Sequence, residues 1–269
     1  MQMTELLIPV LRKAAAAILE IYADVDRFNT QIKEDQSPLT EADLRANDII
    51  RHDLNLLYPG VPVISEEMKH EEYAERRKYT QYFLVDPLDG TKEFIKRNGE
   101  FTINIAYVEE NTSVGGFVCV PASGNIYVAE KHSGAYRIDP ANQKKEIQSL
   151  PFYFTDRKLN VVASRSHRDP DTERVISQLT EPEIISVGSS LKLILIAEGK
   201  AHFYPRFGPT MEWDTAAAQC ILEEAGGSLL NADTLLPFTY NKESLLNASF
   251  LAFGKCLDPE AIQGFRIEK

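Results

Sequence analysis

The chain has 269 residues, 43% hydrophobic and 26% charged, which is enough for a large core in one or two globular domains. A formal net charge of −11 excludes a general nucleic-acid binder, which needs a basic face, and would repel phosphate esters unless divalent metals reversed the local field. Cys119, Cys220 and Cys256 form no CxxC pair, so neither a disulfide framework nor a zinc site is indicated. No run approaches the roughly 18 apolar residues of a membrane span. Arg12 and Lys13 interrupt the apolar part of the N-terminus where a signal peptide needs continuity. A soluble cytoplasmic protein is expected.

In chain order, residues 4–23 carry Leu7, Val10, Leu11, Ala14, Ile18 and Ile21 near one helical face. A polar loop follows from Ile32 to Pro38. Thr40-Glu41-Ala42-Asp43 is capping-box-like and opens a second helix, bearing Leu44, Ile49, Ile50, Leu54 and Leu57, that Tyr58-Pro59-Gly60 ends. Val61 to Ser65 predicts a short strand running into Glu66 and Glu67. His70 to Lys78 is strongly charged and reads as a solvated helix or loop. Tyr82 to Val85 is a buried-strand pattern that stops at Asp86-Pro87-Leu88-Asp89, after which Gly90 and Thr91 open a short helix. Thr102–Val108, Gly116–Val120, Ile126–Ala129 and Ala135–Ile138 alternate as an antiparallel sheet would.

From about residue 155 strand and helix patterns alternate, ending in a helix over Asp214 to Ala225 before Gly226-Gly227. The shift near Leu150-Pro151 suggests a division into an N-terminal α+β part, 1–152, and a C-terminal α/β part, 153–269.

The motif search is mostly negative: no GxGxxG, no GxxxxGK[ST], no HExxH and no GxSxG. What remains are acids at element ends. Taken singly, Glu66-Glu67 reads as a solvated pair, Asp214 as a helix N-cap and Asp43 as a first-turn charge. Asp86-Pro-Leu-Asp89-Gly-Thr is different. A strand ending in two acids and a peptide carbonyl suits a hard cation such as Mg²⁺, and the helix start beside it suits a phosphate.

Asp86-Pro87-Leu88-Asp89-Gly90-Thr91, the upstream Glu66-Glu67 and the downstream Trp213-Asp214-Thr215-Ala216-Ala217 together resemble the three signatures of the inositol monophosphatase superfamily, in the family's order. The resemblance implies a layered αβαβα sandwich. It also implies a Mg²⁺-dependent, lithium-sensitive phosphatase, with Mn²⁺ as a substitute ion and Li⁺ and Ca²⁺ as inhibitors. By motif, Glu66, Asp86, Asp89, Asp214 and the Leu88 carbonyl would hold two or three Mg²⁺. Thr91, oriented by Asp43, would act with Glu66 on the attacking water. The peptide N–H groups at Gly90 and Thr91 would bind phosphate oxygens. The N-terminal part would thus carry most of the metal ligands.

Lys96-Arg97-Asn98-Gly99-Glu100-Phe101, Ser164-Arg165-Ser166-His167, Gly188-Ser189-Ser190-Leu191-Lys192 and Tyr204-Pro205-Arg206-Phe207-Gly208-Pro209-Thr210 resemble the 3'(2'),5'-bisphosphate nucleotidase branch, in particular its bacterial form associated with cysteine biosynthesis. Where the inositol branch has an acid for ring hydroxyls, this chain has Arg206, which suits a second phosphate. Arg206, Lys192, Ser189 and His167 are therefore expected to contact a nucleotide bisphosphate, as would the metal-bearing residues Glu66, Leu88, Asp89 and Asp214. The implied reaction converts adenosine 3',5'-bisphosphate to AMP and phosphate, with 3'-phosphoadenylyl sulfate as a second substrate. The rivals are an inositol-phosphate phosphatase and a non-catalytic nucleotide-bisphosphate sensor. A monomer or homodimer is expected, as is a cytoplasmic setting, with peripheral inner-membrane attachment described for some relatives.

Overall fold

The computed structural model describes residues 3–24, 31–32, 38–163 and 169–266, with the backbone alone at 31, 32 and 38. Two amphipathic helices begin the fold: α1 (Met3–Ala23), which accommodates Pro9 early in its length, and α2 (Glu41–Leu57). Thr40 caps α2 as the sequence predicts, its hydroxyl accepting from the Ala42 N–H at 3.2 Å. The buried face of α2 is Ala42, Ala46, Ile50 and Leu54, whereas Leu44 is 43% exposed and points away from the core. Residues 31–32 (β1) and 38–39 (β2) form a two-residue antiparallel pair.

The N-terminal sheet has seven strands in sequence order: β3 (Val63–Ser65), β4 (Gln81–Asp89), β5 (Thr102–Glu109), β6 (Thr112–Val120), β7 (Asn125–Glu130), β8 (Ala135–Ile138) and β9 (Lys144–Ile147). Only β3 and β4 are parallel; the rest is an antiparallel meander. Two short helices interrupt it, α3 (Tyr73–Arg76) and α4 (Thr91–Ile95). Alternation divides its faces. Phe83, Val85, Ile103, Ile105 and Phe117 pack on α1 and α2, while Tyr82, Leu84, Ala106, Val108 and Val118 pack on the opposite side.

That opposite side is covered by α6 (Leu191–Ala197) and α7 (Glu212–Glu224). α7 lies so close that a Cβ at Gly116 would stand 2.2 Å from the Ala217 carbonyl oxygen. Only a residue without a side chain fits there. Ser113 fixes the same approach, its hydroxyl donating to Ala216 O at 2.8 Å.

The next layer is a five-stranded sheet in the order β12 (Glu183–Ile185), β11 (Asn160–Val162), β13 (Phe203–Arg206), β15 (Phe250–Phe253), β14 (Ser228–Asn231). Its β12-β11-β13 side is parallel, as alternating strands and helices predict, and its β13-β15-β14 side is antiparallel. α5 (Pro170–Ile176) and a 3₁₀ segment (Pro259–Phe265) close the last layer over Val161, Phe203, Leu251 and Phe253. Beside it, β10 (Pro151–Phe152) pairs with β16 (Lys255–Cys256). Helices, sheet, helices, sheet and helices therefore stack as an αβαβα sandwich.

Candidate active site

The strand predicted over Tyr82 to Val85 runs four residues further than its apolar pattern. β4 continues through Asp89, with Asp86 opposite Asn104 and Asp89 opposite Thr102, so the register slips between the two acids. The irregularity accepts Pro87, which lacks a ladder donor, and re-aims the acids. Asp86 closes the bulge on itself, its Oδ1 accepting from the Leu88 N–H at 3.0 Å. Gly90 then turns the chain into α4 at φ 94°, against Glu100 O and Ser189 Cβ.

Asp43 stands behind this corner, 2% exposed, at the third position of α2. Its Oδ2 accepts from the Thr40 N–H at 2.8 Å and the Thr40 hydroxyl at 2.5 Å. Its Oδ1 accepts from the Thr91 hydroxyl at 3.1 Å, which also lies 3.4 Å from Leu88 O. A helix cap thus doubles as the group that orients Thr91.

Asp89 is held from the far half of the molecule. Its Oδ2 accepts from the Ser190 N–H at 2.6 Å, from Asn104 Nδ2 at 3.4 Å and from the Thr102 hydroxyl at 3.5 Å. Ser190 Oγ in turn donates to Asn104 Oδ1 at 2.8 Å and lies 2.8 Å from Thr102 Oγ1. Sequence reasoning passed over Thr102 and Asn104. Their signal was two buried polar residues at alternate positions of an otherwise apolar strand. Asp214 sits at the third position of α7, with Oδ2 accepting from the Met211 N–H at 2.9 Å.

These groups meet at a cavity of about 670 Å³. Glu66, Asp86, Leu88, Asp89, Thr91 and Asp214 form its polar side, and Met211, Trp213 and Leu246 form an apolar wall. A second cavity of about 210 Å³ shares Asp89, Gly90 and Asp214 with the first and is lined by Ser189, Lys192, Tyr204, Arg206 and Phe250. Lys192 Nζ donates to Ser189 O at 3.1 Å and Arg206 Nη2 to Pro209 O at 3.2 Å. Arg206 Nε is buried without a partner among the described residues. His167 lies outside the described residues.

Burial, and then the charges of Glu66, Asp89 and Asp214, push the Asp86 carboxyl well above the usual range. Burial and Asp89 do the same to Asp214, against a smaller pull from Arg206. Burial raises Asp89 too, with Lys192 drawing it back. Asp86, Asp89 and Asp214 each commit one oxygen to a backbone amide and have no hydrogen bond on the other among the described residues. A buried, mutually repelling, oxygen-only donor set fits a hard divalent cation. Among the described residues no three such side chains close on one point as a finished cage.

The chain matches the family model described as the inositol monophosphatase family over residues 1–267. It is 41% identical over 249 residues to the 3'(2'),5'-bisphosphate nucleotidase CysQ of Salmonella typhimurium, covering 92% of this chain and 98% of that one. The same enzyme from Escherichia coli is 41% identical over 240 residues, covering 89% and 94%. Among solved structures, CysQ from Bacteroides thetaiotaomicron superposes with a TM-score of 0.81 at 41% identity, over 93% of this chain and 96% of that one. The suhB protein of Bartonella henselae shares the fold at a TM-score of 0.80 and 20% identity, over 99% of each chain. With the layered sandwich, the acid-lined cavity and a family model that spans nearly its whole length, the chain belongs to the inositol monophosphatase family.

Proposed function

We infer that this chain is a metal-dependent 3'(2'),5'-bisphosphate nucleotidase. It removes the 3'-phosphate of adenosine 3',5'-bisphosphate to give AMP and phosphate, and accepts 3'-phosphoadenylyl sulfate as a second substrate. One observation carries the substrate class: the acid-lined cavity shares Asp89, Gly90 and Asp214 with a second one holding Arg206 and Lys192, so a dianion at the acids leaves a cationic place for another. The relatives named CysQ support the same reading.

Glu66, Asp86, Asp89, Asp214 and the Leu88 carbonyl would hold two or three Mg²⁺, or Mn²⁺ in its place. Bound there, the ions supply charge neutralisation and a water of lowered pKa. Thr91 gives its hydroxyl proton to Asp43 Oδ1 in a hydrogen bond, which leaves its lone pairs to accept from the attacking water. Glu66 takes that water's proton. Gly90 and Thr91 offer backbone N–H groups to phosphate oxygens. Arg206 and Lys192, which line the second cavity with Ser189, hold the non-scissile 5'-phosphate, and Ser189 and His167 contact phosphate or the nucleoside. Binding there orients the scissile bond.

We propose the division at 152/153 as one of labour: residues 1–152 carry the chemistry, apart from Asp214, and residues 153–269 carry the choice of substrate. All of these residues come from one chain, so a monomer or a homodimer serves. No helix among the described residues is long and apolar enough to cross a membrane. A cytoplasmic setting goes with this function, and nothing in the structure supports membrane-surface attachment.

A phosphate-release panel with Mg²⁺ tests the reading. Rapid release from adenosine 3',5'-bisphosphate, slow release from inositol 1-phosphate and inhibition by Li⁺ and Ca²⁺ are expected. The opposite substrate order would assign the chain to the inositol branch, and no release from either would leave only a binding protein.

A further inference from the structure

Glu212 has no place in the chemistry above, yet it is 0% exposed, an extreme position for a carboxylate. It opens α7, two residues before Asp214. Its Oε2 accepts from the Asn241 N–H at 2.5 Å, and its Oε1 accepts from the Lys242 N–H at 3.0 Å and from Lys242 Nζ at 2.5 Å. Two amides and an ammonium therefore converge on one buried carboxylate, fixing a loop otherwise free of regular structure.

The same loop is gripped from the other half of the molecule. Arg76, 4% exposed, donates from Nη1 to Asn241 Oδ1 at 2.6 Å and from Nη2 to Lys242 O at 3.2 Å and Glu243 O at 3.1 Å. Asn241 Nδ2 returns a bond to Arg76 O at 2.6 Å. Arg76 belongs to the segment that leaves β3 through Glu66. A second tie runs alongside: His70 Nε2 lies 2.8 Å from Ser65 O, and its ring sits 5.3 Å from that of Trp213. The segment that follows Glu66 and the helix that carries Asp214, one from each half, are thus joined by a buried polar chain from Arg76 through Asn241 to Glu212.

We propose that Glu212, acting through Asn241 and Arg76, is a positioning residue that sets the separation of Glu66 and Asp214 and so the affinity for the divalent cation they share. The proposal rests on the metal site described above. Charge and shape both matter. A glutamine at 212 has the same length, but its amide nitrogen faces an N–H or an ammonium, so at least one donor in the loop loses its acceptor. The Arg76 grip then no longer fixes the start of α7, and Asp214 drifts relative to Glu66. A cation held by ligands on two bodies is sensitive to such drift, because Mg²⁺ and Mn²⁺ demand near-octahedral geometry.

The test measures Mn²⁺ binding by calorimetry and by the fluorescence of Trp213, the chain's single tryptophan, which lines the cavity. Wild type, E212Q, R76K and D214N are compared, with folding checked by circular dichroism. E212Q and R76K are expected to bind Mn²⁺ about tenfold more weakly, equivalent to about 1.4 kcal/mol, while their turnover recovers at saturating Mg²⁺ with the substrate KM unchanged. If E212Q does not fold, R76K alone decides. Unchanged Mn²⁺ affinity in a folded variant, or a turnover loss that Mg²⁺ does not recover, would overturn the proposal. Wild type that binds Mn²⁺ no better than D214N would overturn the metal site itself, and the proposal with it.

Discussion

Asp89, proposed as a metal ligand, is a side chain whose surroundings set function against stability. It is buried among like charges, tied to Ser190, Asn104 and Thr102, and its carboxyl is raised by burial. Asp89→Asn removes a buried charge but keeps the shape. Turnover is therefore expected to fall by about a thousandfold or more, while the chelated protein melts at or above the wild-type temperature. A variant with normal phosphate release would remove Asp89 from the site. The pH dependence has the same origin. Asp86 and Asp214 are raised well above about 3.8 by burial and by their neighbours' charges. A carboxyl raised in the folded state favours folding below its unfolded value, and that contribution is lost as the pH rises through the folded value. Chelated protein is expected to lose stability from this source as the pH climbs from about 4 towards neutrality. Mg²⁺ needs the ionised groups, so its increment in Tm, read by calorimetry, is expected to be larger near pH 8 than near pH 5. Asp86 and Asp89 stood out in the sequence because a strand ending in two acids around Pro87 suggests one geometry, whereas Asp214, singly a helix N-cap, was joined to them only through the resemblance of its motif. Ser190, Thr102 and Asn104 were not legible, since they meet Asp89 only across the fold. Arg76 was read as solvated for the same reason: its acceptor Asn241 is 165 residues away.

At the scale of elements, α7 is where the site and the core meet. It carries Asp214 at one end and presses Ala216, Ala217 and Cys220 onto β6, where Gly116 leaves no room for a Cβ. Gly116→Ala forces either the helix or the strand to move. It is expected to destabilise by about 1–3 kcal/mol or more in denaturant unfolding and to reduce activity through displaced Asp214. Wild-type stability in that variant would mean that the helix floats more freely than its contacts indicate. At α2, Thr40→Ala removes a cap and, with the hydroxyl, one of the two Thr40 donors that fix Asp43, the backbone N–H remaining. A loss of about 1 kcal/mol is expected from the cap, with a further fall in turnover because Thr91 loses its anchor. The helices and most of the antiparallel meander could be read from hydrophobic period. β9, β14 and β15 could not. β9 shows three exposed residues in four, and β14 and β15 are four-residue strands whose pairing spans a long irregular connection. β4 was read as ending at Val85, because its last residues are chosen for the site rather than for a strand.

Over the whole molecule, a net charge of −11 and a substrate of several negative charges are compatible only through cations. In the proposed reading the halves would supply them in different ways: metal ions at the acids of the first together with Asp214, and Arg206 and Lys192 on the second. Binding at the native site alone is expected to raise stability by about 2.7 kcal/mol when Mg²⁺ reaches a hundred times its Kd, visible as an increase in Tm that Asp214→Asn abolishes. The most direct test of this division compares adenosine 3',5'-bisphosphate with adenosine 3'-monophosphate, for wild type and Arg206→Gln, by kcat/KM at saturating Mg²⁺. A lost charge-assisted contact to the 5'-phosphate is expected to cut the bisphosphate value by about 10- to 100-fold and leave the monophosphate value within about twofold. Equal losses on both substrates, or no loss on either, would contradict the assignment of substrate choice to Arg206.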